Sequence, residues 1–273
     1  MGESIGILSI KGGVGKTTTT VSLGAAIAQQ GKNVLLIDGN FSAPNLGLHL
    51  GIVQPEVSLY DVLKGKANAL GAIQETDYGF DIIGGRLNMK KIFYPDYLKL
   101  KQKIQHLKYH YDVILIDSSP TLDHETLAAM MASDKLLIVT TPDHATLSCT
   151  LHAVKVAKKK KVPIAGIILN RVYGKKFELS LEQIEKMTGV PVLAVIPHDV
   201  NILEALSELK PSTFESKETD AVVEYKKLAA FLIGESYEDK RFSTKLKNLF
   251  SSKVPKQEVN RQVEHKKHRI KHK

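Results

Sequence analysis

Lys11-Gly12-Gly13-Val14-Gly15-Lys16-Thr17-Thr18 follows an apolar run and opens a helix-like stretch, and its reading decides the fold. A phosphate-binding loop is ordinarily written G-x-x-x-x-G-K-[ST], a strand turning through glycines into a helix N-terminus. Here Ile10 occupies the first glycine position, while Gly15-Lys16-Thr17 is retained. Gly12, Gly13 and Gly15 permit a tight turn that aims successive N–H groups, those of Val14 and Thr18 among them, at phosphate oxygens. The helix beginning near Lys16 adds its positive dipole end. Lys16 is expected to reach the terminal phosphates and the Thr17 hydroxyl to ligate magnesium. Lys11 is a second cation on the same loop, able to serve its own nucleotide or a partner's.

Outward from the loop, short apolar runs rich in β-branched residues recur at Ile5–Ile10, Asn33–Asp38, Phe80–Ile83, Val113–Asp117, Lys135–Thr140, Ile164–Leu169 and Val192–Ile196. Helix-like stretches at Thr17–Gln30, Asp96–Tyr109, Asp123–Ala132, Ala145–Lys160 and Leu179–Met187 separate most of them. This alternation predicts an α/β fold, a mostly parallel twisted sheet covered by helices on both faces. Ligands in such folds bind beyond the C-terminal strand ends. Lys16, Asp38, Asp117 and Asn170 are all expected there, around one nucleotide. The run Lys158–Lys161 falls at a helix C-terminus, where it complements the dipole without needing a ligand.

The loop resembles the deviant phosphate-binding motif of the MinD/ParA family of dimer-forming P-loop ATPases. Further stretches match in the same order across about residues 5 to 233. Val34–Asp38 looks like the strand into switch I, and Asp112–Pro120 like the magnesium-side strand and switch II. Ile167–Arg171 and Ile196–Asp199 look like the two adenine-flanking motifs. The resemblance implies ATP and Mg2+ as ligands, with Thr17, Asp38 and Asp117 on the metal side. It places Asn170, Arg171, Pro197 and Asp199 beside the adenine. It also implies a homodimer in the ATP state, in which Lys11 crosses to the other subunit's nucleotide.

One position departs from the family. Switch I there reads D-x-D, and its second aspartate positions or activates the attacking water; this chain reads Asp38-Gly39-Asn40. An amide orients water but accepts no proton. Phosphoryl transfer rests mainly on positioning and electrostatics, so hydrolysis is expected to be slow rather than absent. The expected catalytic set is Lys11, Lys16, Asp38, Asn40 and Asp117.

Composition bounds the rest. The 273 residues, 43% hydrophobic, suit one substantial α/β domain, expected over 1–237. No apolar run is long enough to span a membrane, and charge begins too near the N-terminus for a signal peptide. Gly6 stands where a myristoylation motif needs Ser or Thr. The single cysteine, Cys149, excludes a disulfide framework and cysteine-ligated clusters, and suits a reducing cytosol. It is expected to be a small buried apolar side chain.

The net charge of +9 is concentrated at one end. Residues 240–273 hold 12 Lys/Arg against Glu258 and Glu264, leaving 26 basic and 27 acidic groups elsewhere. Within 238–255, Phe242, Leu246, Leu249 and Phe250 recur at the spacing of one helical face, with lysines outside the arc. That is the pattern of an interfacial membrane helix, similar to the C-terminal targeting helix of MinD proteins; docking back onto the domain is the plainer alternative. Residues 256–273 are polar and basic and are expected to be disordered, with lipid or nucleic acid as ligand.

These features point to an ATP-dependent dimeric switch. It would be peripheral on the cytoplasmic face of the cell membrane, positioning an unidentified cargo or answering to an activator protein. A ParA-like DNA-associated ATPase and a hydrolysis-poor nucleotide-binding scaffold are the alternatives. Liposome and duplex-DNA co-sedimentation separates lipid from nucleic acid.

Overall fold

The computed structural model describes residues 1–86, 96–214, 218–241 and 254–271. Its strands are β1 (Glu3–Leu8), β2 (Val34–Gly39), β3 (Gln74–Glu75), β4 (Asp81–Ile83), β5 (Val113–Ser118), β6 (Lys135–Thr140), β7 (Ile164–Val172) and β8 (Val192–Pro197). They form one sheet in the order β3-β4-β2-β5-β1-β6-β7-β8, parallel except for the two-residue β3, which runs antiparallel to β4. Every predicted strand is present. β1 stops at Leu8 rather than Ile10 because Ser9 already belongs to the turn, its hydroxyl accepting from Lys11 N at 3.3 Å.

Strand residues alternate between two buried layers, as a sheet covered on both faces requires. Val34 and Leu36 of β2 pack into one layer with Val113 and Leu115 of β5. Leu35, Ile37, Ile114 and Ile116 face the other. The first layer is closed by α1 (Lys16–Ala28) and α8 (Asp220–Leu232), where Tyr225 is fully buried. The opposite face carries α2 (Leu59–Leu63), α3 (Leu100–Ile104), α4 (His124–Ala132), α5 (His144–Lys159) and α6 (Leu181–Thr188).

The helix expected over Asp96–Tyr109 is broken, with only Leu100–Ile104 α-helical between two 3-10 segments. The N-cap of α3 is Lys99, which makes no side-chain capping bond, and its first turn carries no acidic residue to meet the dipole. Lys158 and Lys159 do close α5, as expected. Cys149 is half-buried on α5 rather than fully enclosed.

The C-terminal part differs most from expectation. α7 (Val200–Ser207) and α8 lie beyond the five helices read from the sequence. The chain then folds back along α8 as far as Arg241, past the expected end at 237. The Arg241 guanidinium grips Asp239 in two-pronged fashion, pairs with Asp220 at 2.9 Å and donates to Glu218 O at 2.9 Å. The apolar arc Phe242, Leu246, Leu249 and Phe250 lies outside the described residues.

The disorder expected from 256 onward is corrected. Lys256–Lys271 forms a helix, α9, lying against edge strand β8. Arg261 is buried, donating to Leu193 O at 2.8 Å and pairing with Glu224 at 2.9 Å. Asn260 donates to Val192 O at 2.8 Å and to Glu185 at 2.6 Å, and Lys256 pairs with Glu185 at 2.9 Å. Composition reads such a segment as unable to form an apolar core. Its docking is polar instead, supplied by partners far away in the sequence.

Candidate functional site

The phosphate loop leaves β1 and enters α1 through two glycines in the left-handed region, Gly13 at φ 80° and Gly15 at φ 86°. Gly15 is constrained twice, since an added Cβ would lie 2.4 Å from Asn170 Nδ2. That amide donates to Val14 O at 2.7 Å, so β7 braces the loop directly. Gly12 and Gly13 have open space where a Cβ would stand. Among the described residues nothing lies within 4 Å of either added Cβ, which suits backbone that must approach a phosphate closely.

The two lysines of the loop differ in placement. Lys16 is buried, its ammonium donating to Asp117 Oδ1 at 2.8 Å and, in a short contact, to Ser118 O. Lys11 is exposed and its side chain has no ion pair or hydrogen bond to the described residues. Thr17 Oγ1 donates to Asp117 Oδ2 at 2.6 Å and lies 3.3 Å from Asn45 Oδ1. Thr20 adds a bond to Asp117 Oδ1 at 3.2 Å.

Asp38 and Asp117 stand side by side, register partners near the C-terminal ends of β2 and β5. Burial first, and then the Asp117 carboxylate, push the Asp38 carboxyl up to about 7 against the pull of backbone N–H groups and of Lys16. Its oxygens accept from Asn40 N at 3.1 Å, Asn45 N at 3.0 Å and Leu46 N at 2.9 Å. Two carboxylates so placed favour a proton on one or a cation nearby. The local donor set is all oxygen from hydroxyl, carboxylate and amide, which suits magnesium, a hard cation that keeps several waters. Among the described residues no group of three or more His, Cys, Asp or Glu side chains could hold a metal. A site of one or two carboxylates with a threonine hydroxyl fits that count.

Asn40 is buried, and its amide donates to Ala43 O at 2.6 Å, inside its own loop. Two residues on, Ser42 N donates to Glu125 Oε2 at 3.2 Å and Ser42 Oγ to Glu125 Oε1. Glu125 sits in the first turn of α4 and is 4% exposed. Burial raises its carboxyl against those Ser42 hydrogen bonds. It ties the loop after β2 to the helix after β5. The sequence reading passed over it because only the fold brings residues 42 and 125 together.

A second cleft adjoins the loop and is lined by Gly15, Thr18, Asn170, Arg171, Pro197 and Asp199, which brings the four residues expected beside the adenine together. Arg171 takes the left-handed φ of 55°, an uncommon conformation for a non-glycine residue. Asp199 caps α7 through Asn201 N at 2.9 Å, so its helix-cap role is present too. The far wall was not read from the sequence. Ile202, Leu203 and Leu206 of α7 supply an apolar surface, and Tyr225 closes the floor with its hydroxyl 3.1 Å from Thr19 Oγ1. The i, i+4 spacing of Ile202 and Leu206 was the available signal.

A family model described as an AAA domain matches residues 2–167. An uncharacterised ATP-binding protein of Methanocaldococcus jannaschii is 32% identical over 238 residues, covering 87% of this chain and 90% of that one. The solved cell division ATPase MinD of Pyrococcus furiosus superposes with a TM-score of 0.79 at 36% identity, covering 84% of this chain and 97% of its own. The septum site-determining protein MinD of Pyrococcus horikoshii, solved with Mg-ADP, gives a TM-score of 0.80 at 33% identity over 93% of this chain and 100% of its own.

Proposed function

Because the chain belongs to the MinD/ParA family of P-loop ATPases, with ATP and Mg2+ as its ligands, we propose that it is a slow, ATP-dependently dimerising switch that works at a membrane surface. The observation that carries this reading is the contrast between its two loop lysines. Lys16 is turned inward onto Asp117, whereas Lys11 on the same loop is exposed and unengaged by the described residues. One lysine serves the nucleotide in its own loop. The other is free to reach a nucleotide held by a second copy.

Lys16 would hold a terminal phosphate in place of Asp117, which would leave that carboxylate to face a cation. Thr17 and Asp117, with Asp38 beside them, would hold magnesium, which offsets charge on the terminal phosphates. Asn40 orients water without taking its proton, so turnover is slow and the ATP-bound dimer long-lived. The base is taken between Asn170, Arg171 and the Pro197–Asp199 turn, with α7 as the apolar wall.

The membrane part of the reading rests on the arc Phe242, Leu246, Leu249 and Phe250. Each such side chain fully buried is worth about 1.5–3 kcal/mol, of which interfacial insertion captures a fraction. One copy therefore binds weakly, and a dimer presenting two raises effective concentration at the surface. The cargo or activator is a further protein, and the setting is the cytoplasmic face of the cell membrane.

The test is Lys11→Ala beside the wild type, in light scattering and nucleotide-binding measurements with ATP-Mg and ADP-Mg. The wild type is expected to dimerise with ATP alone. The variant should bind nucleotide within a few-fold and stay monomeric. A variant that dimerises like the wild type sinks the proposal.

A further inference from the structure

The loop after β2 carries Asn40 and is bonded at its base to Asp38, which accepts from Asn40 N, Asn45 N and Leu46 N. Its tip is tied outward, to α4. Ser42 N donates to Glu125 Oε2 at 3.2 Å and Ser42 Oγ to Glu125 Oε1, while the Phe41 N–H bonds the same carboxylate. The start of α4 is in turn tied to the segment that follows Asp117. Asp123 caps the helix through Glu125 N and Thr126 N, each at 3.0 Å, and accepts from Ser119 Oγ at 3.2 Å. Thr126 Oγ1 donates to Ser119 O at 3.0 Å, next to the Ser118 carbonyl that meets Lys16. A connected path therefore runs from Lys16 to Asn40 by way of the first turn of α4.

Glu125 is a costly residue for filling space. Its carboxylate is buried and pairs with no cation among the described residues. Such burial is unfavourable unless donors replace the lost water, and here they come from Ser42 and Phe41, with the N-terminal end of α4 adding its dipole. An apolar side chain would pack the helix at lower cost. What only the carboxylate supplies is the hold on the loop.

We propose that Glu125 is a positioning residue for ATP hydrolysis: by gripping Ser42 it fixes the Asn40 amide relative to Lys16 and Asp117. The proposal rests on the reading of Asn40 as the residue that orients water. Nucleotide binding by the phosphate loop does not need this hold, whereas the attacking water does. Displacing a reacting group by about 1 Å can cost on the order of a hundredfold in rate.

The test is steady-state kcat and KM for ATP-Mg, with ADP-Mg affinity by calorimetry and thermal melting, in the full-length protein. Glu125→Ala is expected to lose about tenfold or more in kcat, with KM and ADP-Mg affinity within about threefold. Ser42 is exposed, and Ser42→Ala, which keeps the backbone N–H bond, should lose about threefold. The double variant should be no slower than Glu125→Ala alone, because both act through one contact. Glu125→Gln keeps an acceptor oxygen for Ser42 and should recover most of the rate. A Glu125→Ala protein that melts lower but keeps its kcat, or one that changes KM alone, makes the residue merely structural and overturns the proposal. If Glu125→Ala does not fold, a wild-type kcat in Ser42→Ala overturns it. Asn40→Ala separates the two readings. Wild-type turnover there removes the role of Asn40 and this proposal with it; slow turnover there, with Glu125→Ala at the wild-type rate, removes this proposal alone.

Discussion

The Asn40 amide nitrogen donates to Ala43 O, which turns this end of the side chain into its own loop. An aspartate here would have no N–H to give Ala43 and would instead present a carboxylate near Asp38, whose own carboxyl burial already pushes up to about 7. Asn40→Asp is therefore expected to do two things at once. It should raise the steady-state ATPase rate by at least about tenfold, the lower range for a positioned proton acceptor. It should also lower the melting temperature, since a third buried acid joins Asp38 and Asp117. Equal rates in wild type and variant would show that water activation does not run through this position. The phosphate-loop residues were legible in the sequence because their chemistry is local, within eight consecutive positions. Glu125 and Tyr225 were not, since each reaches the site from an element distant in the chain.

Among the elements, two polar docking sites lend themselves to measurement. Asp134, at the turn into β6, accepts from Ser4 N at 2.8 Å and from Lys108 Nζ at 2.7 Å. Burial raises its carboxyl, but the Lys108 and Ser4 hydrogen bonds more than offset this and hold it below the ordinary carboxylate range. A depressed acid adds stability above its unfolded pKa and loses it as pH falls through the folded one. Asp134→Asn should thus melt lower than wild type at pH 7, and the gap should close below about pH 4. A gap independent of pH would contradict the assignment. At α9, Arg261→Ala would leave Glu224 buried without its cation. Orphaning a buried charge costs about 3–5 kcal/mol, an upper bound here because α9 can lift and admit water. Fast hydrogen exchange at 256–267, with α8 still protected, is the expected signature. Unchanged protection would mean that the helix docks by other means. Nothing local in Lys256–Lys271 announces this docking; it depends on Glu185, Val192, Leu193 and Glu224, which only the fold assembles.

For the whole molecule, the order of strands puts the phosphate loop, Asp38, Asp117 and the α7 wall beyond the C-terminal ends of the strands. The alternating runs led to Lys16, Asp38, Asp117 and Asn170 as the residues expected there, but not to α7. The sequence could not show that the chain returns past its expected end to clamp Arg241 and dock α9. On the proposed reading, vesicle affinity would be a property of the joined pair. The ratio of affinities in ATP and ADP is expected to reach about 100 or more for the wild type, within the usual gain from bivalency, and to fall near one for Lys11→Ala. A Lys11→Ala ratio matching the wild type would mean that nucleotide controls attachment within a single subunit.

Both margins of the sheet are blunted, one by brevity and one by cover. β3 offers two antiparallel residues at one side, and at the other Asn260 and Arg261 occupy the carbonyls of Val192 and Leu193. An open parallel strand is a template for adding foreign strands, and the hazard grows where copies are crowded. A protein gathered on a two-dimensional surface meets its own kind at high local density for as long as it stays. Under the membrane reading proposed above, such blunted margins would leave a crowded population little means of zippering into fibrils, so its crowding would stay reversible.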